Sequence, residues 1–152
     1  MAKEIAGAKV IWLKGPSKGK LLDVGCGNGN FLSIMQKLGW EISGVEPDPQ
    51  AAKIAQESLG ESIRIGTLEQ AGFSDNSFDV ITAVHVLEHL HNPLGFLQES
   101  LRILKPGGRL VIVTPNTNSL GHRLFGKFWR GLEVPRHLFL FTPQILGAYA
   151  ER

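Results

Sequence analysis

Residues 21–32 read Leu21-Leu22-Asp23-Val24-Gly25-Cys26-Gly27-Asn28-Gly29-Asn30-Phe31-Leu32, an apolar run that breaks into alternating glycines and resumes as a helical pattern. Glycine lacks a Cβ and tolerates positive φ, so glycines at 25, 27 and 29 let the chain bend sharply after a strand. The bend presents amide N–H groups to a ligand at the start of a helix. The spacing is not the dinucleotide fingerprint G-x-G-x-x-G, whose third glycine would fall where Asn30 stands. Nor does the loop end in Gly-Lys-Ser/Thr, as a P-loop would. Both NAD and a nucleoside triphosphate are disfavoured.

Outward from this loop, short β-branched runs alternate with longer helical patterns. Strands are expected at 20–24, 41–45, 62–65, 78–84 and 109–114, and helices at 29–38, 49–59 and 93–104. Strands separated by helices need crossovers, and crossovers give a parallel sheet covered on both faces, a doubly wound α/β fold. Punctuation agrees: Pro47 and Pro49 bracket one helix start, Asn92-Pro93 marks another, and Lys105-Pro106-Gly107-Gly108 ends the helix before it. A further outer helix is expected at 2–14. After Pro115 the pattern becomes loop-rich, with a short helix near 119–125 and a last one opening at Thr142-Pro143. It runs to Arg152 without another pair of strands, so the expectation is a single domain over 1–152 whose C-terminal strands are missing.

Glu46 closes the second strand, 21 positions after Gly25, where an acid reaches ribose hydroxyls in this topology. A carboxylate that accepts from two neighbouring hydroxyls is selective for a ribose.

Composition bounds the rest. A chain of 152 residues favours one domain and buries roughly 70% of its unfolded surface. Hydrophobic residues at 43% and charged residues at 20% are ordinary for a globular protein, and no apolar run approaches a membrane span. The first twenty residues carry no export signal, and Cys26, the only cysteine, excludes an intramolecular disulfide and a thiolate zinc site. The expected compartment is the cytoplasm. A net charge of +2 does not argue for nucleic acid. Arg123, Lys127, Arg130 and Arg136 do cluster with Phe125, Phe128 and Trp129, a segment able to face an anionic or flat substrate. The plainer expectation is a solvated loop with its aromatics turned inward.

The motifs D-V-G-C-G-N-G and G-V-E-P-D, then SDNSFDVITAVHVLEHLHNP and LKPGGRLVIVTPN, resemble the class I S-adenosylmethionine (SAM)-dependent methyltransferase superfamily. The likeness is to its small-molecule, ubiquinone-methyltransferase-like branch. The similarity covers about residues 20–116, and GHRLFGKFW and PRHLFLFTP resemble one subgroup of that branch. What the resemblance implies is a Rossmann-like sheet with core order 3-2-1-4-5 and SAM across the C-terminal strand ends. By position, Asp23, Gly25, Cys26, Gly27 and Gly29 would hold the methionine part, Glu46 the ribose, and Pro47 and Asp48 the ribose and adenine side. The family's acid and small residue after the third strand are here Thr67 and Leu68, followed by Glu69. Adenine would then rest on Leu68 and the backbone, or on Glu69 turned inward.

His85-Val86-Leu87-Glu88-His89 matches the H-x-x-E-H pattern of some zinc proteases, but that motif needs a helix throughout and a third ligand, whereas His85 directly follows a strand. No metal is expected. In the methyltransferase reading His85 and Val86 flank the sulfonium, and Glu88 and His89 begin a short helix at the rim of the substrate pocket. His91 is read as a solvated turn residue. Methyl transfer is an in-line substitution, so alignment and exclusion of water are the protein's main tasks, with orientation supplying up to roughly 7–11 kcal/mol. A hydroxyl acceptor would need a base, and imidazole suits it. His85 and His137 are the candidate catalytic residues, with His89 and Arg136 facing substrate and Arg136 suited to a carboxylate or phosphate.

The expected function is therefore methyl transfer from SAM, leaving S-adenosylhomocysteine, to an oxygen of a small molecule. A catalytically incomplete SAM-binding module and a nucleic-acid methyltransferase stand as alternatives. No membrane partner is expected, and the oligomeric state is left open.

Overall fold

A computed structural model describes residues 19–150, and the helix expected at 2–14 lies outside them. The chain runs β1 (Lys20–Val24), α1 (Asn30–Lys37), β2 (Glu41–Glu46), α2 (Pro49–Leu59), β3 (Ile63–Ile65), β4 (Phe78–Val84), α3 (Pro93–Ile103), β5 (Leu104–Val113), α4 (Leu120–Phe125) and α5 (Pro143–Ala150). The five strands form one sheet in the order β3-β2-β1-β4-β5. Every pairing in it is parallel.

The central strand explains why the sheet must be covered twice. Side chains alternate across a strand, and adjacent Leu21 and Leu22 are both fully buried. Leu21 packs with Leu32, Met35, Ile42 and Ala52 on the face of α1 and α2. Leu22 packs with Val24, Ile81, Phe96 and Ile103 on the face of α3. The helix starts follow their caps. The Asp48 carboxylate accepts from the Gln50 N–H at 2.9 Å before Pro49, and the Asn92 side chain accepts from the Gly95 N–H at 3.0 Å before Pro93. Each satisfies a donor the first turn leaves unpaired, and proline at the first helical position has no N–H to lose.

Three differences from the sequence expectation have physical causes. The strand expected at 109–114 begins at Leu104, because Leu104 pairs with Phe78 before the register breaks and resumes at Arg109 opposite Val80. Lys105-Pro106-Gly107-Gly108 thus ends α3 as expected but forms an irregularity inside β5, with Gly107 at φ 77°. The strand expected at 62–65 is shortened by a 3-10 turn over Gly60–Ser62. The basic segment also departs from expectation: Phe125 and Phe128 point outward, 62% and 81% exposed, while Trp129 turns in against His122, ring centroids 5.2 Å apart.

At the N-terminal end of the sheet, Asp79 ties three strands together. Its carboxylate accepts from the Lys20 N–H of β1 at 2.8 Å and from the Lys105 ammonium of β5 at 2.8 Å. The Lys105 hydrogen bond, then the Lys20 N–H, hold its carboxyl below the usual aspartate range. No helix among the described residues is long and apolar enough to cross a membrane. The opposite end of the sheet, where β1, β2 and β4 finish, is left open for a ligand.

Candidate functional site

The bend after β1 is held by backbone. The N–H groups of Gly25 and Cys26 both donate to the Val45 carbonyl, at 2.8 and 3.2 Å. Gly25, Gly27 and Gly29 all have positive φ, at 68°, 56° and 79°, a region that costs other residues roughly 1–2 kcal/mol. Their surroundings separate their roles. A Cβ on Gly29 would stand 2.8 Å from Leu59 and 3.1 Å from Ala55, so this glycine lets the loop close onto α2. A Cβ on Gly25 would meet Val86 at 2.7 Å, whereas one on Gly27 would meet no protein atom within 4 Å. Gly27 is the bare point of the bend.

Glu46, 8% exposed, turns onto this bend. One carboxylate oxygen accepts from the Gly27 N–H at 2.7 Å and the other from the Asp48 N–H at 3.0 Å. A carboxylate oxygen has two acceptor sites, so each keeps capacity for one further donor, the arrangement two neighbouring hydroxyls require.

A cleft of about 790 Å³ opens beside these groups. It brings together Gly25, Glu46 and Pro47 with Thr67, Leu68 and Glu69, and with His85, Val86, His89 and Arg136. The other singled-out residues stand outside its lining. Asp23 lies beneath the loop, 1% exposed, accepting from the Thr82 hydroxyl at 2.5 Å. Cys26 is buried, its sulfur pressed against Gly44 in the sheet, so only its backbone belongs to the bend. Gly29 and Asp48 anchor the loop from behind, and Gly27 stands at its open bend, next to the lining. Leu68 is 2% exposed and supplies apolar floor, Glu69 is exposed at the rim, and the Thr67 N–H is taken by the Gln70 side chain at 2.9 Å.

The histidine motif is not one helical face. His85 directly follows β4 with φ 55°, its N–H on the Val113 carbonyl at 2.8 Å, and Leu87–His89 is a single 3-10 turn. His85 Nδ1 lies 3.1 Å from one Glu88 oxygen, and the Thr114 hydroxyl donates to the other at 2.9 Å. His89 Nδ1 donates to the Arg136 carbonyl at 2.9 Å, and His137 Nδ1 to the Gly131 carbonyl at 2.9 Å. The His89 and His137 rings meet edge to face at 4.8 Å. Donor atoms of Glu88, His89 and His137 fall within 4.8 Å of one another. Each of the three also bonds elsewhere, Glu88 to Thr114 and His85, His89 to the Arg136 carbonyl and His137 to the Gly131 carbonyl. The His137 side chain is 5% exposed with Nε2 3.8 Å from Glu133, behind the cleft rather than in it.

Phe96, Leu90, Asn92 and His91 also line the cleft. Phe96 reads in sequence as a core residue of an amphipathic helix, and nothing local distinguishes it. His91, read as a solvated turn residue, is exposed as expected yet faces the cleft.

The profile of a methyltransferase domain family matches residues 4–152. A ubiquinone biosynthesis O-methyltransferase of Cereibacter sphaeroides is 35% identical over 117 residues, 72% of this chain and 47% of that protein. The enzyme of the same name from Xanthomonas oryzae pv. oryzae is 33% identical over 103 residues, 64% of this chain and 43% of its own length. The chain thus spans less than half the length of these relatives. Among solved structures, a SAM-dependent methyltransferase from Archaeoglobus fulgidus superposes with TM-score 0.79 at 23% identity, over 99% of this chain and 66% of that one. One from Thermotoga maritima, described as a possible histamine N-methyltransferase, superposes with TM-score 0.73 at 25% identity, over 97% and 68%.

Proposed function

The chain belongs to the methyltransferase domain family, and on that premise we propose that it binds SAM in the glycine-lined cleft and methylates an oxygen of a small molecule. The observation that carries the reading is Glu46, buried and accepting from the Gly27 N–H, with acceptor capacity left on each oxygen. The cleft fits the group. Gly27 leaves room where any side chain would stand, Leu68 and Phe96 supply apolar surface for a base, and about 790 Å³ lies within the range of ligand sites. In this reading the Gly25–Gly29 bend takes the methionine part, Glu46 the ribose, and Leu68 with Glu69 the adenine.

Held by Glu46 and the Gly25–Gly29 bend, SAM would supply a sulfonium-activated methyl group to an acceptor oxygen. Val86 packs against Gly25 and narrows the cleft at that point, and His85 stands beside it to receive the acceptor's proton. His89 and Arg136 face the open side, where the acceptor enters, and Arg136 suits a carboxylate or phosphate on it. His137 serves by holding the 131–137 segment through Gly131. The oxygen acceptor is supported by the names of the ubiquinone O-methyltransferase relatives. Residues 1–152 are taken as one domain.

Calorimetric titration with SAM and with S-adenosylhomocysteine tests the cofactor reading. Micromolar binding of both is expected, and a folded sample that binds neither at millimolar ligand overturns it.

A further inference from the structure

We infer that Glu88 is a positioning residue that fixes the proton on His85 Nδ1 and so leaves Nε2 as the acceptor nitrogen facing the cleft. The inference rests on the methyl-transfer reading and names how its base would be prepared. Glu88 is 1% exposed, unusual for a carboxylate unless it is hydrogen-bonded. It is: the Thr114 hydroxyl donates to one oxygen at 2.9 Å, and His85 Nδ1 stands 3.1 Å from the other. With Glu88 as a carboxylate, which only accepts, Nδ1 is the donor, and the lone pair of a neutral ring then sits on Nε2.

The remainder of the ring is available. The His85 side chain is 61% exposed and lines the cleft beside Val86, the residue against Gly25. Its backbone is held at φ 55°, sparsely populated for a side chain of this kind, and is locked there by the Val113 carbonyl. Strain of this sort persists where surrounding structure over-determines it. Glu88 is fixed as firmly, since its own carbonyl accepts from the Leu138 N–H at 2.8 Å. A buried acid held from two sides therefore orients a strained, exposed histidine. The other titratable or charged side chains lining this cleft are Glu46, Glu69, His89, His91 and Arg136.

The step balances simply. Nε2 takes the hydroxyl proton as the acceptor oxygen bonds the methyl carbon and the methyl–sulfur bond breaks with its electron pair going to the departing thioether; the imidazolium is held against the Glu88 carboxylate, and the exposed ring later returns the proton to solvent.

Long-range proton–nitrogen NMR on histidine-labelled protein reads each ring's tautomer directly. With its ring neutral, His85 is expected as the Nδ1–H form in the wild type, and Glu88→Ala should convert it to the Nε2–H form. Adding S-adenosylhomocysteine should move the His85 Nε2 resonance and leave His122 unmoved, because His122 is outside the cleft lining and bonded to the Thr117 carbonyl. A wild-type His85 in the Nε2–H form overturns the inference without any variant, and so does a folded Glu88→Ala protein with the tautomer unchanged. S-adenosylhomocysteine that fails to bind while the tautomer is as stated overturns the cofactor reading instead.

Discussion

Glu46 has two tasks in one carboxylate: it pins the loop through Gly27 and Asp48, and it offers its remaining acceptor sites to the cleft. Glu46→Ala is therefore expected to weaken S-adenosylhomocysteine binding by about 1.5–3 kcal/mol, on the order of 10- to 150-fold. Calorimetry checks this, and unchanged affinity would reject a ribose contact. The glycines make a sharper comparison. In Gly29→Ala the new methyl collides with Leu59 and Ala55 as well as adopting positive φ, so a loss of about 2–4 kcal/mol is expected. Gly27→Ala meets no protein atom and should lose only the backbone part, about 1–2 kcal/mol. Yet Gly27→Ala should damage ligand affinity more than its stability loss suggests, since its methyl stands in the open bend. Thermal melting with and without ligand separates the two, and equal behaviour of both variants would show that the bend does not touch the ligand.

At the level of elements, the sheet is tied at the end away from the cleft by Asp79, which joins β1 to β5 across β4. Its carboxyl is held below the ordinary range in the folded protein. A depressed folded-state pKa gives stability that is present above the unfolded value and lost as pH falls through the folded one. The contribution should thus be complete at neutral pH and fade below about pH 4. The side chain is 39% exposed, and solvent screening keeps the effect under about 1 kcal/mol. Asp79→Asn is expected to lower the melting temperature slightly at pH 7, with the gap from wild type closing near pH 3. A gap that widens in acid would contradict the assignment. The same ion pair holds Lys105 of β5 against Asp79 beside the register shift between β4 and β5.

For the whole molecule, a ligand that binds only the folded state must raise its stability. S-adenosylhomocysteine at about 100 times its dissociation constant adds roughly 2.7 kcal/mol, which for a domain of this size is about 5–10 °C in melting temperature. Saturating ligand that leaves the melting curve unmoved would speak against a built site.

The fold and half of the site were legible along the chain because they depend on local backbone chemistry. Glycines at 25, 27 and 29 permit positive φ whatever surrounds them, Asn92-Pro93 caps a helix through its own side chain, and strand patterns alternating with helical ones require crossovers that cover both faces of a sheet. Those features determined the parallel sheet, its loop, and Glu46 at the next strand end. What only the tertiary structure decided is how residues far apart in sequence divide their work. Asp23 and Cys26, adjacent to the bend, turn beneath it, because strand alternation and the Gly44 gap send their side chains into the sheet. Thr114 reaches Glu88 only because β4 and β5 pair side by side, and His137 stands behind the cleft because the segment that follows β5 folds back onto the 3-10 turn. Such contacts join side chains 26 or more positions apart, and no spacing rule encodes them, because they follow from strand register and loop path rather than from the dihedral preferences of any one residue.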